Sequence, residues 1–491
     1  MINKSVRVRI APSPTGYFHI GSARTALFNW LFARHHGGKF IVRVEDTDRT
    51  RYNPEAVPDM VDSLRWLGLD WDEGPEVGGD FGPYYQSERL DLYKHYADWL
   101  VNEGQAYRCY CSPERLANLR EAQREKKEDV GYDRHCRYLT AAQRAEREAE
   151  GITPVIRLKA PLEGQTTFHD VLYGTITVDN ETLDDLVLLK SDGFPTYHLG
   201  VVVDDHQMEI SHIMRGDEWL PSVPKHILLY NAFGWEIPVF AHLPLILAPT
   251  GKGKLSKRHG GVKVREFRRQ GYLPEAMVNY LARVGWSYDD KTEIFSREEL
   301  VRYFDLPGVN HSPAHFSYER LEWMNAFYIR QLDVNDLAQR LVPFMNQAGF
   351  QVTAADLRPM VPLIQERLKT LTEAVNWIDF FFVEDLEYDA HLLVGTKMDA
   401  AGSLDALRQA RQRLASLPSF EIETIEPPLR SLADELSLKV GQLLGIIRVA
   451  VTGKTVAPPL FETLGILGQQ RSLLRIDRGL QALAGLVNGH A

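Results

Sequence analysis

The amino-terminal part of the chain alternates between two hydrophobic patterns, one with the period of a strand and one with that of a helix. Apolar residues at every second position of residues 6–10 predict a strand. Residues 22–36 predict a helix that ends at Gly37-Gly38. Residues 40–45 form a short apolar run that ends in a carboxylate, as a buried strand would. This strand–helix–strand order predicts an open α/β sheet.

The pattern changes in the middle of the chain and then returns. Residues 106–190 combine a charged helical stretch with two β-like runs, which predicts an inserted α/β domain. Over residues 191–260 the nucleotide-fold pattern resumes, and Val201–Val203 predicts a buried strand that ends in Asp204-Asp205. Ser87 and Thr140 are predicted to cap two further helices, Thr140 through a capping box with Gln143.

From roughly residue 272 onward the pattern is nearly all helical. At 491 residues the chain is too long for one hydrophobic core. We therefore predict an α/β multidomain protein, with a split Rossmann-type nucleotide-binding domain that carries an α/β insertion and is followed by all-helical domains. The predicted segments are 1–105 and 191–260 for the split domain, 106–190 for the insertion, and 261–375 and 376–491 for the helical part.

The loop after the first predicted strand is a candidate phosphate site. R9-I-A-P-S-P-T-G16 leads into a helix that begins near His19 and Gly21. A helix N-terminus beyond the carboxyl end of a strand offers N–H groups and a positive dipole to a phosphate. His19 adds a donor that can meet negative charge developing on a phosphoryl group. These residues predict a nucleotide site.

Four further segments carry polar residues suited to the same crevice. The basic loop T250-G-K-G-K-L-S-K-R258 contains Lys254 and Lys257, which can neutralise phosphates. Glu45 stands at the carboxyl end of the second predicted strand and faces the same crevice as His19. The segments D192–H206 and I213–W219 contain Tyr197 and Arg215.

Together these segments resemble the signatures of class I aminoacyl-tRNA synthetases, in the version of bacterial-type glutamyl-tRNA synthetases. His19-Ile20-Gly21-Ser22 is similar to the HIGH motif, with serine in place of the final histidine, and Lys254–Arg258 is similar to KMSKS. The resemblance covers essentially the whole chain and is weakest over residues 385–440. It implies that 106–190 binds the acceptor arm of tRNA, that 261–375 contacts its stem and that 376–491 binds its anticodon.

The resemblance also implies the reaction and the residues that carry it. ATP, accompanied by Mg²⁺, would form glutamyl-adenylate, and the terminal ribose of tRNA(Glu) would then take the glutamate. The implied catalytic residues are His19, Lys254 and Lys257; the ATP-binding residues are His19, Gly21, Ser22 and Lys257; the glutamate-binding residues are Arg9, Ala11, Ser13, Glu45, Tyr197 and Arg215. Arg9 is implied to pair the side-chain carboxylate of glutamate, and Arg367 to contact the third anticodon base. Some family members have asparagine where this chain has Val201, so no polar contact is assigned there.

Several alternatives stay open. A glutaminyl enzyme shares the catalytic half, but it would have P-E-P-[NS]-G where this chain has Pro12–Gly16. It would also have a carboxyl-terminal β-barrel, whereas this part of the chain is predicted to be helical. A short queuosine-modifying paralogue would lack the tail. A catalytically silent tRNA-binding paralogue is disfavoured by the intact His19 and Lys257. An enzyme that charges both tRNA(Glu) and tRNA(Gln) is a further alternative.

The cysteines predict a metal site. All three lie in one short window, as Cys109, Cys111 and Cys136, and such clustering in a reducing compartment favours zinc over a disulfide. A tetrahedral zinc needs a fourth ligand. Zinc-bearing relatives carry C-x-C and then C-x-H, and Tyr138 stands at the histidine position here. The resemblance therefore implies one zinc ion per chain, held by the three cysteines and Tyr138. His135 is the rival ligand, although adjacent ligands strain a single site, and three reduced thiols without metal are the alternative.

Composition limits the class of protein. Hydrophobic residues make up 44% and charged residues 25% of the chain, as in globular proteins. No apolar run reaches the roughly 18 residues that cross a membrane, and no signal peptide is present. Three cysteines argue against a disulfide framework, so we expect a cytoplasmic protein. We also expect no membrane partner and a monomer. The net charge of −10 argues mildly against nucleic acid, but a basic stripe over residues 252–269 can meet one polyanion.

Overall fold

The computed structural model describes residues 5–250, 253, 255 and 262–489. The chain divides into two compact units, Met1–Arg268 with Pro274–Tyr318, and Arg269–Leu273 with Glu319–Ala491. The first unit mixes strands and helices, and the second is helical in its described residues, so the predicted α/β multidomain class is confirmed. The finer five-part division of the chain stays a prediction.

The strands are short. They are β1 (Arg7–Ile10), β2 (Lys39–Val42), β3 (Ala106–Cys109), β4 (Val155–Leu158), β5 (Gln165–Asp170), β6 (Gly174–Asp179), β7 (Val187–Leu189), β8 (His212–Gly216), β9 (Val239–Leu243), β10 (Ile246–Leu247) and β11 (Ala314–His315). The helices up to Tyr303 are α1 (Ile20–His35), α2 (Ala56–Trp66), α3 (Leu90–Asn102), α4 (Pro113–Glu125), α5 (Ala141–Ala149), α6 (Tyr197–Gln207), α7 (Val223–Phe233), α8 (Val264–Arg269), α9 (Pro274–Arg283) and α10 (Arg297–Tyr303).

The later described helices are α11 (Tyr318–Gln331), α12 (Val334–Gln347), α13 (Ala354–Leu357), α14 (Val361–Ile364), α15 (Glu373–Ile378), α16 (Ala400–Ala415), α17 (Ile422–Glu435), α18 (Val440–Thr452), α19 (Leu460–Leu467) and α20 (Gln469–Asn488). Helical structure after residue 272 is therefore confirmed, apart from the two-residue strand β11, which pairs with β10. Among the described helices, none combines the length and the apolar character that crossing a membrane requires.

The strand–helix–strand start of the chain is confirmed. β1 and β2 pair in parallel, from Arg7 opposite Lys39 to Ile10 opposite Val42, and α1 connects them. Helix α1 is buried on almost every side, which is why its apolar residues show no single hydrophobic stripe. Parallel pairing brings the carboxyl ends of both strands to one edge, where ligands bind in open α/β sheets.

A four-stranded sheet has the order β6-β5-β9-β8. β8 and β9 are parallel, while β5 and β6 form an antiparallel hairpin that pairs with β9 through Asp170 opposite Phe240. The hairpin lies in residues 106–190, which the sequence assigned to the insertion, yet it extends the sheet of the following segment. Asp170 is thereby carried to the strands that bear Arg215 and His242.

The predicted strand at Val201–Val203 is wrong, because these residues lie in α6. Every residue from Leu199 to Asp205 is buried. A helix buried all round has no polar face, so its apolar run cannot be told from a buried strand by periodicity. The helix turns Asp204 and Asp205 into the interior, where both are buried among arginines.

The two predicted caps have different outcomes. Thr140 caps α5, and Gln143 completes the capping box as expected. Ser87 caps no helix, because it lies in a short 3-10 turn and α3 begins only at Leu90. Both the backbone N–H and the hydroxyl of Ser87 donate instead to the carboxylate of Asp46.

Candidate active site at the strand ends of the first unit

His19 is the N-cap of α1 and sits beyond the end of β1. Its Nδ1 accepts the backbone N–H groups of Gly21 and Ser22 at 3.1 and 3.3 Å. Because Nδ1 accepts, the ring proton lies on Nε2, which is 3.2 Å from the Ser22 hydroxyl. The N–H groups that the sequence predicted to meet phosphate therefore bind the His19 ring in this structure.

The close approach of the His19 ring explains why residue 21 is a glycine. A Cβ at that position would lie 3.0 Å from two atoms of the His19 ring, so a larger residue would push the ring away. Ser22 stands where the HIGH motif has its last histidine, and its hydroxyl contacts Nε2 of His19. His19 itself is exposed, so its Nε2 side can be approached from solvent.

A buried cluster of charges lies under the same edge of the sheet. Arg9 on β1 donates from Nε and Nη2 to the two carboxylate oxygens of Asp205, at 3.0 and 3.2 Å. Arg43 donates to Asp205 at 2.7 Å and to Glu45 at 3.0 Å. Buried charges need such partners, because an unpaired ion in the interior is costly. The Nη1 group of Arg9 makes no hydrogen bond among the described residues and is left for another acceptor.

The charges in this cluster shift the pKa values of its acids in opposite directions. Burial raises the pKa of Glu45 above its usual value, because Arg43 offsets the loss of water only in part. Burial acts in the same sense on Asp205, but Arg9 and Arg43 outweigh it and hold the pKa of Asp205 below its usual value. Asp205 is therefore a permanent anion between two guanidinium groups.

Arg215 and Tyr197 form the opposite side of this polar centre. Arg215 on β8 donates from Nη1 to the hydroxyl of Tyr197, the first residue of α6, at 2.8 Å. The ring of Tyr197 packs on Trp219 with 4.5 Å between centroids. Burial raises the pKa of Tyr197 to about 12, and charges on Arg215, Glu45 and Arg9 also act on it. Tyr197 is thus a neutral donor within electrostatic reach of the Arg9 cluster.

The predicted glutamate residues converge only in part. Arg9, Glu45, Tyr197 and Arg215 are brought together by β1, β8, α6 and the end of β2. Ala11 is half-buried and Ser13 exposed, in the loop after β1, and the neighbouring Pro12 carbonyl accepts the Glu45 N–H at 3.1 Å. Lys254 and Lys257 lie outside the described residues, so their predicted roles stay predictions.

Sequence reasoning missed the residues that support the site. Asp205 accepts hydrogen bonds from Arg9 and Arg43, and Arg43 also donates to Glu45. His242 accepts a hydrogen bond from Arg215. The signal for Asp205 was visible, since two adjacent acids follow an apolar run, but the run was taken for a strand. The signal for Arg43 was its position two residues before Glu45 on one strand end, which places both side chains on the same face.

The three cysteines lie together in the described residues. The sulfurs of Cys109, Cys111 and Cys136 are within 4.8 Å of one another, and all three thiols are free. The hydroxyl of Tyr132 lies 3.3 Å from the Cys109 sulfur and 3.5 Å from that of Cys111. The phenol beside the sulfurs is therefore Tyr132.

The predicted ligand Tyr138 is not part of this cluster. Its side chain is 69% exposed, and its ring contacts Arg137 rather than a sulfur. His135, the rival ligand, is also exposed. The chain turns between Arg134 and Arg137, so residues just after Cys136 leave the cluster while Tyr132 enters it.

Arg367 lies in the helical unit at the end of a short 3-10 turn. It is exposed, and its guanidinium packs over the ring of Trp377 with 5.4 Å to the centroid. No acidic side chain pairs with Arg367 among the described residues. Its donors are therefore available to a ligand.

Comparison with known proteins places this geometry in a family. Residues 5–323 match the model of the catalytic domain of class I tRNA synthetases (E and Q), and residues 336–480 match an anticodon binding domain. The glutamate–tRNA ligase of Dehalococcoides mccartyi strain CBDB1 is 54% identical over 98% of this chain and 99% of its own length. That of Roseiflexus castenholzii is 48% identical, over 99% of this chain and 98% of its own length.

A solved structure agrees. The glutamate tRNA ligase of Elizabethkingia meningosepticum, crystallised in complex with its amino acid, superposes with a TM-score of 0.89 at 34% identity, covering 98% of this chain and 100% of that chain. The resemblance stated from the sequence motifs is confirmed. The catalytic-domain match, the anticodon-domain match and the full-length relatives together show that this chain belongs to the glutamate and glutamine (E and Q) group of class I tRNA synthetases.

Proposed function

We propose that this protein attaches glutamate to tRNA(Glu) in two steps, adenylate formation with ATP and transfer to the terminal ribose of the tRNA. The full-length relatives named glutamate–tRNA ligase support the substrate. The observation that carries the proposal is the buried polar centre of Arg9, Glu45, Tyr197 and Arg215 at the strand edge next to His19.

The chemistry of this centre suits glutamate. The substrate carries two carboxylates and one ammonium group, and the centre offers two guanidinium groups and the carboxylate of Glu45. Arg9 has Nη1 available, and its other donors are held by Asp205, so its direction is set before the substrate arrives. Pre-set donors lose little entropy on binding, which favours both affinity and discrimination.

The nucleotide would lie at the α1 N-terminus. His19 would offer Nε2–H to the phosphate, with Gly21 and Ser22 beside it. Lys254 and Lys257 are proposed, from their motif, to neutralise the triphosphate and the departing pyrophosphate. Mg²⁺ bound with ATP supplies further neutralisation of the phosphate charge. The protein's contribution to adenylate formation is thus positioning and charge stabilisation rather than covalent chemistry.

ATP–pyrophosphate exchange tests this function. The purified protein is assayed with glutamate or glutamine, each with and without tRNA, and then for charging of tRNA(Glu). We expect exchange with glutamate, with or without a tRNA requirement, and no exchange with glutamine. Exchange with glutamine alone would assign the chain to the glutaminyl side of the group. Absence of exchange under all conditions, with retained tRNA binding, would identify a silent paralogue.

We also propose one structural zinc ion per chain in the cysteine cluster. Thiolates are preferred zinc ligands, and the three sulfurs already lie within 4.8 Å of one another. The Tyr132 phenol oxygen lies beside two of them and would be the fourth donor. Cys109, Cys111, Cys136 and Tyr132 would hold the ion. It would tie the end of β3 to the 132–136 segment within the region proposed to bind the acceptor arm.

Tyr132→Phe is expected to lower zinc retention, because the phenol oxygen at the sulfurs is lost. The measurement is elemental analysis of protein purified without chelator, followed by zinc release to a colorimetric chelator. Tyr138→Phe is the matched control and should behave like the unmutated protein, since that phenol is exposed. Loss of zinc from the Tyr138 variant alone would reverse the assignment, and metal-free wild-type protein would reject the site.

Arg367 is proposed to read the third anticodon base and to separate tRNA(Glu) from tRNA(Gln). On its pairing edge cytosine, the third base of the glutamate anticodon, offers the acceptors N3 and O2. Guanine, the third base of the glutamine anticodon, offers the donors N1–H and N2–H there. Arginine only donates, so it suits cytosine and opposes guanine. Single-stranded anticodon bases are open to such contacts. The exposed position of Arg367 on Trp377 supports this use.

Arg367→Gln should reduce the preference for tRNA(Glu) over tRNA(Gln), because the glutamine side chain can donate to cytosine and can also accept from guanine. The expected loss is about 1–3 kcal/mol, calculated from the ratio of kcat/KM for the two tRNAs. Pyrophosphate exchange should stay nearly unchanged. Arg358→Gln, at an exposed arginine in the same unit, is the control and should leave the preference intact. Efficient charging of both tRNAs by the unmutated enzyme would show a non-discriminating enzyme in which Arg367 does not read this base.

The stem-contact role of residues 261–375, the monomeric state and the cytoplasmic location stay predictions.

A further inference from the structure

A chain of buried hydrogen bonds runs from β5 to the proposed glutamate pocket. The carboxylate of Asp170 contacts Nδ1 of His242 at 2.7 Å. Nε2 of His242 lies 3.0 Å from Nε of Arg215, and Nη1 of Arg215 donates to the Tyr197 hydroxyl at 2.8 Å. Asp170 and His242 are both 0% exposed, so neither can reach a substrate directly.

The donors and acceptors in this chain allow only one arrangement of protons. Arginine has no acceptor, so Nε2 of His242 must accept the Nε–H of Arg215. The imidazole proton then lies on Nδ1 and is donated to Asp170 Oδ2. Burial lowers the pKa of His242 below its usual value, which agrees with a neutral ring.

Asp170 is itself held in place by the backbone. Its Oδ1 accepts the N–H groups of Leu172 and Tyr173 at 2.9 and 3.0 Å, and its Oδ2 accepts the N–H of His242 at 3.1 Å. Burial favours the neutral acid, but the hydrogen bonds from His242 and from these amides hold the pKa of Asp170 below its usual value. The carboxylate is therefore a fixed anchor for the imidazole.

Arg215 differs from Arg9 in what supports it. Arg9 is bound by a carboxylate, which neutralises much of its charge. Among the described residues, the hydrogen-bond partners of Arg215 are the neutral His242, the Tyr197 hydroxyl and the carbonyl of Trp219. The imidazole keeps the Asp170 charge one side chain away. Arg215 is thus oriented firmly while its positive charge stays available to an anion.

We propose that Asp170 and His242 are positioning residues for the glutamate pocket, which fix the plane of the Arg215 guanidinium without neutralising it. This inference rests on the proposed assignment of Arg215 to that pocket. The competing explanation is that the pair only joins β5 to β9, in which case its loss would weaken folding without a selective effect on glutamate.

Asp170→Asn tests the proton arrangement. Oδ1 accepts two backbone N–H groups and Oδ2 only one, which favours the amide oxygen at the Oδ1 position and the NH₂ group beside His242. That group would donate to Nδ1, so the imidazole proton would move to Nε2, as it does after an Asp-to-Asn change in the Ser-His-Asp triad. The Nε2–H would then face the Nε–H of Arg215, and the hydrogen bond between His242 and Arg215 would be lost. We expect the glutamate KM in pyrophosphate exchange to rise about 10- to 100-fold, the range typical for groups that orient a functional side chain. The ATP KM should change less than about threefold, because Arg215 is assigned to the glutamate pocket and the nucleotide is proposed to lie at the α1 N-terminus.

His242 supplies a rescue test that does not depend on Asp170. Glutamine can accept from Arg215 and donate to Asp170 at once, whereas leucine can do neither. We expect His242→Gln to retain a glutamate KM well below that of His242→Leu. The leucine variant should also unfold at a lower temperature, because it leaves two buried polar groups without these hydrogen bonds, so the KM values are compared at a temperature at which both variants are folded. Equal glutamate KM values for the two variants would overturn the inference.

A buried aspartate elsewhere gives the matched control. Asp185 is also 0% exposed and pairs with Arg137 and Tyr107, away from the pocket network. Asp185→Asn should lower thermal stability but leave the glutamate KM unchanged. A wild-type protein without glutamate-dependent exchange would refute the proposed function, whereas an active wild type with an unaffected Asp170→Asn variant would refute only the positioning role.

Discussion

Arg9→Ala should remove most of the discrimination between glutamate and glutamine and should also destabilise the fold. In the intact protein Arg9 pairs with Asp205 through two hydrogen bonds, and both side chains are buried. Removing one member of a buried ion pair costs about 3–5 kcal/mol, and the cost here should not exceed the lower end of that range because Asp205 keeps its contact with Arg43. The substrate carboxylate would lose the same partner when it binds.

The two losses can be separated. Glutamate and glutamine are compared in pyrophosphate exchange, and unfolding is followed with denaturant. In the double variant Arg9→Ala/Asp205→Asn, the carboxylate that lost one of its two guanidinium partners is gone, and Arg43 keeps Glu45. We therefore expect stability to recover in part while discrimination stays low. Arg9→Lys keeps the positive charge but cannot form two parallel hydrogen bonds to a carboxylate. Its discrimination between glutamate and glutamine should lie between that of the unmutated protein and that of Arg9→Ala. Full discrimination in a folded Arg9→Ala variant would mean that another cation reads the glutamate side chain.

Lys257→Ala should slow adenylate formation by about 10²–10³-fold, the usual loss when one pre-set charge contact to a transition state is removed. Glutamate binding should survive, because the pocket of Arg9, Tyr197 and Arg215 is built from other segments. The expected kinetic pattern is therefore a lower kcat with little change in the glutamate KM.

Single-turnover adenylate formation and steady-state exchange are the measurements for Lys257. Lys291→Ala, at an exposed lysine of the same unit, is the control for loss of one positive charge and should behave like the unmutated protein. Unchanged turnover with a raised glutamate KM would contradict the assignment, since that pattern indicates lost ground-state binding.

Local signals in the sequence were sufficient for much of this molecule. The alternation in residues 6–10, the helix before Gly37-Gly38 and the Thr140 capping box each depend on neighbours within a few positions, and each is confirmed. The family was also readable, because its motifs are contiguous. Four of the six proposed glutamate residues lie at the polar centre: Arg9 on β1, Glu45 just after β2, Arg215 on β8 and Tyr197 at the start of α6.

The tertiary structure alone decided the rest. Val201–Val203 lie in a helix. The sequence could not show this, because a fully buried segment has no polar face from which its period can be recognised. Tyr132, rather than Tyr138, reached the cysteines because the turn over 134–137 directs the chain away from them. The partners of Arg9 and Arg215 stand 196 and 27 positions along the chain from them. Sequence spacing carries no information on such pairs, because burial brings them together and then requires each charge to be matched. The sequence by itself thus determined which chemistry this protein carries, and the packed interior determined which side chains hold that chemistry in place.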